Sequence, residues 1–257
     1  MTTTLLAIDI GNTTISLGTL KGEKLLSVRE IETGLPLKLQ EKKFKDFLKS
    51  FKRRNSFPEA IVICSVVPSV TKKIKKFIRQ EWNMKPLVIG RDLVVPMKNR
   101  YRNPHQVGQD RLVCSFAAKI LYEPPLIVID FGTAITFDVI SRKGEYLGGI
   151  IVPGIRLTAE SLAKKTALLP KVRISLPGEL IGRDTKASIL SGIFFGFGAL
   201  CSGLVNLIEK KTKAHYKVVT TGGYSSFMDK FIAAKITCID QELVFKGLSL
   251  LYLISKK

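Results

Sequence analysis

Two short segments of this chain carry nearly the same pattern, and together they constrain the fold more than any other feature. Residues 5–14 read LLAIDIGNTT and residues 126–135 read LIVIDFGTAI, so each is an apolar run that ends in Asp-x-Gly. An apolar run bounded by glycine predicts a buried strand that leads into a tight turn. Since the same turn recurs about half a chain later, we predict a duplicated fold that binds a nucleotide between its halves.

The residues of these two turns are suited to binding phosphate groups. Gly11 and Gly132 allow the backbone to approach a ligand closely. Asp9 and Asp130 can hold a cation that neutralises phosphate charge. Side chains that can donate hydrogen bonds to phosphate oxygens follow each glycine: Asn12, Thr13, Thr14 and Thr133. A single Asp-x-Gly turn is common in proteins, so the prediction depends on the two turns occupying matching positions.

The composition is that of a globular protein with a substantial core. The chain has 257 residues, of which 46% are hydrophobic and 24% are charged. Its four cysteines are scattered without a C-x-x-C pair, which argues against a zinc site or a disulfide framework. Only two histidines are present, which excludes a histidine-rich metal site. Reduced cysteines and an N-terminus without the features of a signal peptide lead us to expect a cytoplasmic protein.

The net charge of +20 is the unusual property of the composition. Basic residues are concentrated in residues 38–54 and 72–79, where apolar residues recur at helical spacing. This pattern predicts amphipathic helices with basic outer faces. Such faces are also typical of nucleic-acid-binding proteins, but no helix-turn-helix, zinc-finger or aromatic stacking motif accompanies them. We therefore expect solvated surfaces that attract anionic substrates, rather than a nucleic-acid partner.

Residues 189–208 form an uncharged stretch that is long enough to cross a bilayer. The stretch contains four glycines and Asn206, and the chain beyond it again alternates like a soluble protein. We therefore predict a buried helix, packed closely against a sheet or a second subunit, and no membrane association. This helix and the apolar final helix carry more apolar surface than a small monomer easily buries, which predicts a two-fold homodimer.

The order of predicted elements is the same in the two halves. The first half is predicted to have strands at 5–10, 14–20, 24–31, 60–66 and 87–89, with helices at 38–53 and 70–82. The second half is predicted to have strands at 126–130, 134–140, 145–152, 216–220 and 235–239, with helices at 155–166, at 185–211, from 224 and at the C-terminus. This order predicts mixed sheets flanked by helices. We expect a duplicated α/β fold with a cleft between its halves, which comprise residues 1–100 and 101–257.

Three further motifs could carry chemistry. In the first, Gly108–Arg111, Asp110 can accept a proton from an attacking hydroxyl, and Arg111 can bind a carboxylate or phosphate through two parallel hydrogen bonds. Taken alone, such a pair is more typical of a surface ion pair at the start of a helix. The other two are the glycine-flanked strand Gly148–Gly154, which a backbone or ligand must approach closely, and the turn Thr220–Gly223, which could bind a nucleoside. Both are also typical of ordinary turns.

Taken together, the motifs resemble those of type III pantothenate kinases. The matching segments are DIGNT at 9–13, GQDR at 108–111, DFGTAIT at 130–136 and GGIIVPG at 148–154. They occur in the family's order, and the resemblance extends from residue 5 to about residue 250. The family belongs to the acetate/sugar kinase, Hsc70 and actin superfamily, which implies two ribonuclease-H-like halves of the actin-like ATPase type. It also implies the first step of coenzyme A biosynthesis, in which ATP phosphorylates pantothenate to 4′-phosphopantothenate.

The resemblance implies a role for each matching residue. The implied ATP contacts are Asp9, Ile10, Gly11, Asn12, Thr13, Thr14, Ile15, Ser16 and Thr133. The implied pantothenate contacts are Tyr101, Gly108, Gln109, Asp110, Arg111 and Thr185, the last from the other subunit or a neighbouring loop. Asp110 would accept the proton of the pantothenate hydroxyl. Asp130 would hold an activating potassium or ammonium ion, and Mg²⁺ would be bound together with ATP. The family's dimeric habit agrees with a homodimer.

Two other functions stay open at this point. Some proteins similar to this family were described as accessory regulators of transcription, so a basic, catalytically weak relative could act on nucleic acid instead. A kinase of the same superfamily could also act on another small hydroxyl acceptor. The presence of Asp9, Asp110 and Asp130 together favours catalysis, because a binding module needs no such set. The Gly-x-Asp-Arg motif and the short chain argue against a sugar kinase.

Overall fold

The computed structural model of the chain describes residues 4–53 and 57–256. Its earlier elements are β1 (Thr4–Ile10), β2 (Thr14–Lys21), β3 (Lys24–Glu32), α1 (Leu37–Arg53), β4 (Ala60–Ser65), α2 (Pro68–Trp82), β5 (Leu87–Val88) and α3 (Gln109–Tyr122). Its later elements are β6 (Leu126–Phe131), β7 (Ala134–Ile140), β8 (Tyr146–Pro153), α4 (Ile155–Lys165), α5 (Thr185–Thr212), β9 (Lys217–Thr221), α6 (Ser225–Met228), β10 (Ile236–Ile239) and α7 (Leu243–Ser255).

The strands form two five-stranded sheets with the same topology. The strand order is β3-β2-β1-β4-β5 in the first sheet and β8-β7-β6-β9-β10 in the second. In each sheet the strand that carries Asp-x-Gly is central. It pairs antiparallel with the strand that follows it in sequence and parallel with the strand on its other side. The predicted duplication and the predicted mixed sheets are both confirmed.

The chain divides into two compact units that are not contiguous in sequence. The first contains the residues up to Met97, residues 102–117 and the residues from Glu242 onwards, and the second contains residues 98–101 and 118–241. Most of α3 and all of α7 therefore belong with the first sheet. Gly247 of α7 permits this packing, because a Cβ there would lie 2.6 Å from Val113 Cγ1 of α3. The domain boundary between residues 100 and 101 stays a prediction.

Helix α1 has the amphipathic character that its spacing predicts. Phe44, Phe47 and Phe51 are buried in the core of the first unit. Five lysines of the helix are exposed among the side chains that the structure describes: Lys38, Lys42, Lys43, Lys45 and Lys49. Arg54, the last residue of this basic stretch, lies outside the described residues.

Helix α2 begins at Pro68, two residues before its predicted start. Proline suits the first helical position because its fixed φ is already helical, and the missing N–H has no partner there in any case. Helix α6 begins at Ser225, next to its predicted start at 224, covers four residues and leads into a single 3₁₀ turn.

Helix α5 is a core helix of the second unit. Ile189, Phe194 and Cys201 lie in the hydrophobic core of that unit. A Cβ on Gly198 would lie 2.0 Å from the carbonyl oxygen of Phe231, so this glycine allows close packing, as predicted. Within the described residues, α5 alone is long and apolar enough to cross a membrane, which is weak evidence by itself. Of its apolar window, 44% is buried inside the structure.

Helix α7 is buried within the first unit, which corrects part of the argument for a dimer. Leu243, Phe245 and Leu248 are at most 5% exposed. Phe245 covers Gly18 of β2 so closely that a Cβ there would lie 2.5 Å from the ring. These apolar residues are therefore unavailable to a second subunit. Periodicity reveals that a helix is apolar, but it does not reveal what covers the apolar face.

Candidate active site

The first turn follows β1 and is held by its own backbone and by Thr33. The Gly11 N–H donates to the Thr14 carbonyl at 2.9 Å, which closes the turn. The Thr33 hydroxyl donates to the Gly11 carbonyl at 2.8 Å, and the Thr33 N–H donates to the Thr13 carbonyl at 2.9 Å. Asp9 is partly exposed at the end of the strand. The turn is therefore rigid, and its carboxylate is accessible.

The residues expected to contact ATP differ in what they can offer. The side chains of Ile10 and Ile15 are buried in the core of the first unit, so only their backbone groups are available to a ligand. Asn12 is exposed. Three hydroxyl side chains in the turn and the start of β2 are partly exposed: Thr13, Thr14 and Ser16. The polar members of the predicted set can therefore donate to phosphate oxygens, whereas the two isoleucines fix the strands that carry them.

Asp110 lies in the first turn of helix α3, where it belongs to the same unit as Asp9. Its Oδ1 accepts a hydrogen bond from the Arg111 N–H at 2.8 Å. A Cβ on Gly108 would lie 2.3 Å from this oxygen, so a side chain at that position would displace the carboxylate. Burial raises the pKa of Asp110, and the N–H and the charge of Arg111 partly offset that rise. A partly buried carboxylate with a raised pKa is well suited to accept a proton.

Cys64 is a neighbour of Asp9 whose thiol is influenced by both Asp9 and Asp110, and no motif in the sequence indicates this. It is fully buried on β4, where it is the register partner of Asp9. Burial raises the pKa of its thiol, and the negative charges of Asp9 and Asp110 raise it further. The two carboxylates therefore act on one thiol, which stays protonated. A parallel pairing of β1 with β4 could have revealed this neighbour, but a lone cysteine in an apolar strand gives no such signal.

The second turn follows β6 and is enclosed by glycine backbone. A Cβ on Gly222, whose φ is +86°, would lie 2.3 Å from Asp130 Oδ1. A Cβ on Gly154 would lie 2.3 Å from the Thr133 carbonyl oxygen, to which the Gly154 N–H donates at 3.1 Å. The Thr133 side chain is exposed. The glycines of the two later motifs therefore shape the Asp130 turn, which their sequence spacing did not indicate.

Asp130 offers oxygen atoms, the ligands that alkali and alkaline-earth cations prefer. Within residues 4–53 and 57–256, no group of three or more His, Cys, Asp or Glu side chains is placed to hold a metal ion. One carboxylate beside a backbone turn fits a weakly held monovalent cation better than a dedicated divalent site. Magnesium needs no such cluster of protein ligands when it binds mainly through the phosphates of a nucleotide.

Of the remaining predicted contacts with pantothenate, Gln109 is the first residue of α3 and belongs to the first unit, whereas Tyr101 and Thr185 lie in the second unit. Tyr101 is partly buried, and its N–H donates to Asn99 Oδ1 at 2.9 Å. Thr185 is the exposed first residue of α5, next to the N-cap residue Asp184, which accepts from the Ala187 N–H at 2.8 Å. Thr185 also lines an apolar groove of about 470 Å³ along α5.

The same fold occurs in several solved structures. The chain superimposes on the ethanolamine utilization protein EutJ from Carboxydothermus hydrogenoformans with a TM-score of 0.57 and 15% identity, covering 96% of this chain and 89% of that one. A ROK hexokinase from Thermus thermophilus gives 0.51 and 14%, covering 98% and 99%. A Campylobacter jejuni protein named as a candidate Baf family transcriptional activator gives 0.58 and 20%, covering 98% of both chains. The fold is that of the actin-like ATPases, with two ribonuclease-H-like halves.

The sequence comparisons are more specific. The family model for type III pantothenate kinase matches residues 5–207. A type III pantothenate kinase from Sulfurihydrogenibium sp. is 38% identical over 95% of this chain and 97% of its own length. One from Dehalococcoides mccartyi is 35% identical over 98% of each, and one from Finegoldia magna is 36% identical over 98% of each. The chain belongs to the type III pantothenate kinase family.

Proposed function

We propose that this protein transfers the γ-phosphoryl group of ATP to the hydroxyl group of pantothenate, producing ADP and 4′-phosphopantothenate at the start of coenzyme A biosynthesis. The observation that carries the proposal is the family match over residues 5–207, which includes both aspartate turns and Asp110. A reaction that uses ATP and pantothenate also agrees with the reduced cysteines, which favour a cytoplasmic location.

Asp110 is the proposed proton acceptor. In phosphoryl transfer the transition state is loose, so the enzyme mainly aligns the groups and neutralises charge. Asp110 would orient the attacking hydroxyl and take its proton late, and burial supports that role by raising its pKa. Arg111, adjacent on α3, would bind the pantothenate carboxylate through two parallel hydrogen bonds.

The two turns would have different tasks. The Asp9 turn would bind the phosphates of ATP through its backbone N–H groups and the hydroxyls of Thr13, Thr14 and Ser16. Asp130 would hold potassium or ammonium, and Thr133 would contact ATP. When bound, Mg²⁺ and the monovalent cation would neutralise phosphate charge.

The exposed face of α5 supports a homodimer. Gly192, Gly196 and Gly203 are exposed on this face, and Leu207 beside them is 61% exposed. A stripe of small residues next to an apolar groove lets a second helix approach closely. In a homodimer, Thr185 of one subunit would reach the pantothenate site of the other. Gly196 has open space around its Cβ position, so Gly196→Leu should leave the subunit folded. We expect a dimeric mass for the native chain and a weaker dimer for this variant.

The decisive experiment measures product formation by the purified chain with Mg-ATP. We expect ADP and 4′-phosphopantothenate to appear together with pantothenate, and glucose as a control acceptor to give neither. Turnover with another hydroxyl compound but not with pantothenate would point to a different kinase. A folded protein without any turnover that binds DNA in a salt-dependent manner would support a regulator instead, in which the basic face of α1 contacts phosphates.

A further inference from the structure

Asp138 is a buried carboxylate that the proposed reaction does not use. It lies on β7 and is 1% exposed. Its Oδ1 accepts a hydrogen bond from the Tyr146 hydroxyl at 2.7 Å, and its Oδ2 accepts one from the Thr136 hydroxyl at 3.1 Å. Burying a carboxylate is costly unless hydrogen bonds compensate for the lost water. The hydrogen bond between Asp138 and Tyr146 therefore holds both side chains firmly in place.

Tyr146 also holds the short segment that leads to Tyr101. Strand β8 is at the edge of the second sheet, and the segment extends that edge. The Tyr146 N–H donates to the Lys98 carbonyl at 2.9 Å, and the Arg100 N–H donates to the Tyr146 carbonyl at 2.8 Å. Glu145 forms ion pairs with Lys98 at 3.3 Å and with Arg100 at 2.9 Å. The residues just before Tyr101 are thus fixed to β8 from both backbone and side chains.

The ring of Tyr101 packs onto the same strand. Its centroid lies 6.4 Å from the centroid of the Tyr146 ring, with an interplanar angle of 42°. Gly148, which has a φ of +132°, provides the surface beneath it, since a Cβ there would lie 3.6 Å from the Tyr101 ring. The position of Tyr101 therefore depends on how Tyr146 is held.

We propose that Asp138 and Tyr146 are positioning residues that place Tyr101 for pantothenate binding. The inference rests on the proposed function, in which Tyr101 contacts pantothenate. Asp138 fixes the Tyr146 hydroxyl, Tyr146 fixes the backbone of residues 98–100, and its ring supports that of Tyr101. Neither positioning residue contacts ATP in this scheme, so their loss affects the affinity for pantothenate selectively.

The chain provides a matched pair of variants for the test. Tyr146→Phe removes the hydrogen bond to Asp138. Tyr122→Phe removes an equivalent bond of 2.6 Å to Asp240, a carboxylate that is 4% exposed in the same unit. We expect Tyr146→Phe to raise the KM for pantothenate about tenfold, because loss of one such hydrogen bond shifts an equilibrium by about that factor. The KM for ATP should not change, and Tyr122→Phe should leave both KM values unchanged.

Asp138→Asn is the conservative variant that separates positioning from charge. Its amide oxygen can still accept from Tyr146, so we expect a KM for pantothenate close to that of the native enzyme. If Tyr146→Phe does not fold, the double variant with Asp138→Asn removes the buried charge, and its KM for pantothenate should still be raised. Equal KM values in Tyr146→Phe and Tyr122→Phe, with an active native enzyme, would overturn the inference. An inactive native enzyme would instead overturn the proposed function.

Discussion

The two Asp-x-Gly turns occupy the same place in two sheets of the same topology, yet their surroundings differ. On the neighbouring strands, the register partners of Asp9 are Ser16 and Cys64. The turn after Asp9 is held by the side chain of Thr33. The register partners of Asp130 are Thr136 and Thr221, and the backbone of Gly222 lies against the Asp130 carboxylate. Duplication thus explains where the aspartates are, and local substitutions explain how they differ.

We propose that this difference separates two kinds of chemistry. The first turn shares its unit with Asp110, so ionisable and hydroxyl side chains are available for substrate binding and proton transfer. The second turn has walls of backbone, whose oxygens and fixed geometry suit a cation. Variants in and around each turn test whether the two turns differ in these ways.

The largest effect is expected at Gly222. Its φ is positive, and a Cβ at this position would lie only 2.3 Å from Asp130 Oδ1, which leaves no room for a side chain. Gly222→Ala should lower the free energy of unfolding by about 3 kcal/mol, from backbone strain and overpacking together. Gly223→Ala is the control, because the space around its Cβ position is open. Chemical denaturation of both variants measures the difference, and equal stabilities would show that the second turn is not closed by backbone.

The next largest effect concerns Asp110. Asp110→Asn removes the proton acceptor but keeps the shape of the side chain, so we expect kcat to fall at least about tenfold, or about 1.4 kcal/mol of barrier. The KM for ATP should change little. Steady-state kinetics with varied ATP and pantothenate provide the measurement. A kcat near that of the native enzyme would remove Asp110 from the catalytic role.

A comparison of Asp9→Asn with Asp130→Asn sharpens the contrast between the turns. Activation is measured as the ratio of turnover in potassium to turnover in sodium. We expect Asp130→Asn to bring this ratio from several-fold towards one, because the ligand of the cation loses its charge. Asp9→Asn should slow turnover but preserve the ratio. The assignment of the cation to the second turn fails if Asp9→Asn abolishes the dependence and Asp130→Asn does not.

The smallest effect is the pH dependence that Asp110 confers. Its pKa is raised mainly by burial, so the folded protein holds this proton more tightly than the unfolded chain does. Stability from this group is therefore present at acid pH and is lost as pH rises through the raised pKa. Asp110→Asn should increase Tm slightly at neutral pH, and the gain should shrink in acid. A Tm difference that grows as the pH falls would contradict the direction of the shift.

Much of the fold could be predicted because each element depends on local patterns. Apolar runs ending in Asp-x-Gly marked the central strands, and phenylalanines at helical spacing marked α1. The role of Gly222 and Gly154 at the second turn, and that of Cys64 beside Asp9, depend on which strands become neighbours. The burial of α7 in the first unit likewise depends on contacts distant in sequence. A single sequence does not encode those pairings in any local pattern.

We propose that this chain phosphorylates pantothenate with the help of a monovalent cation at Asp130. The most direct test measures ADP release from Mg-ATP with and without pantothenate, first in potassium buffer and then in sodium buffer. We predict turnover that requires pantothenate and is several times faster in potassium. Turnover that is equal in both buffers would contradict the cation site, and the absence of pantothenate-dependent turnover by the folded protein would contradict the function itself.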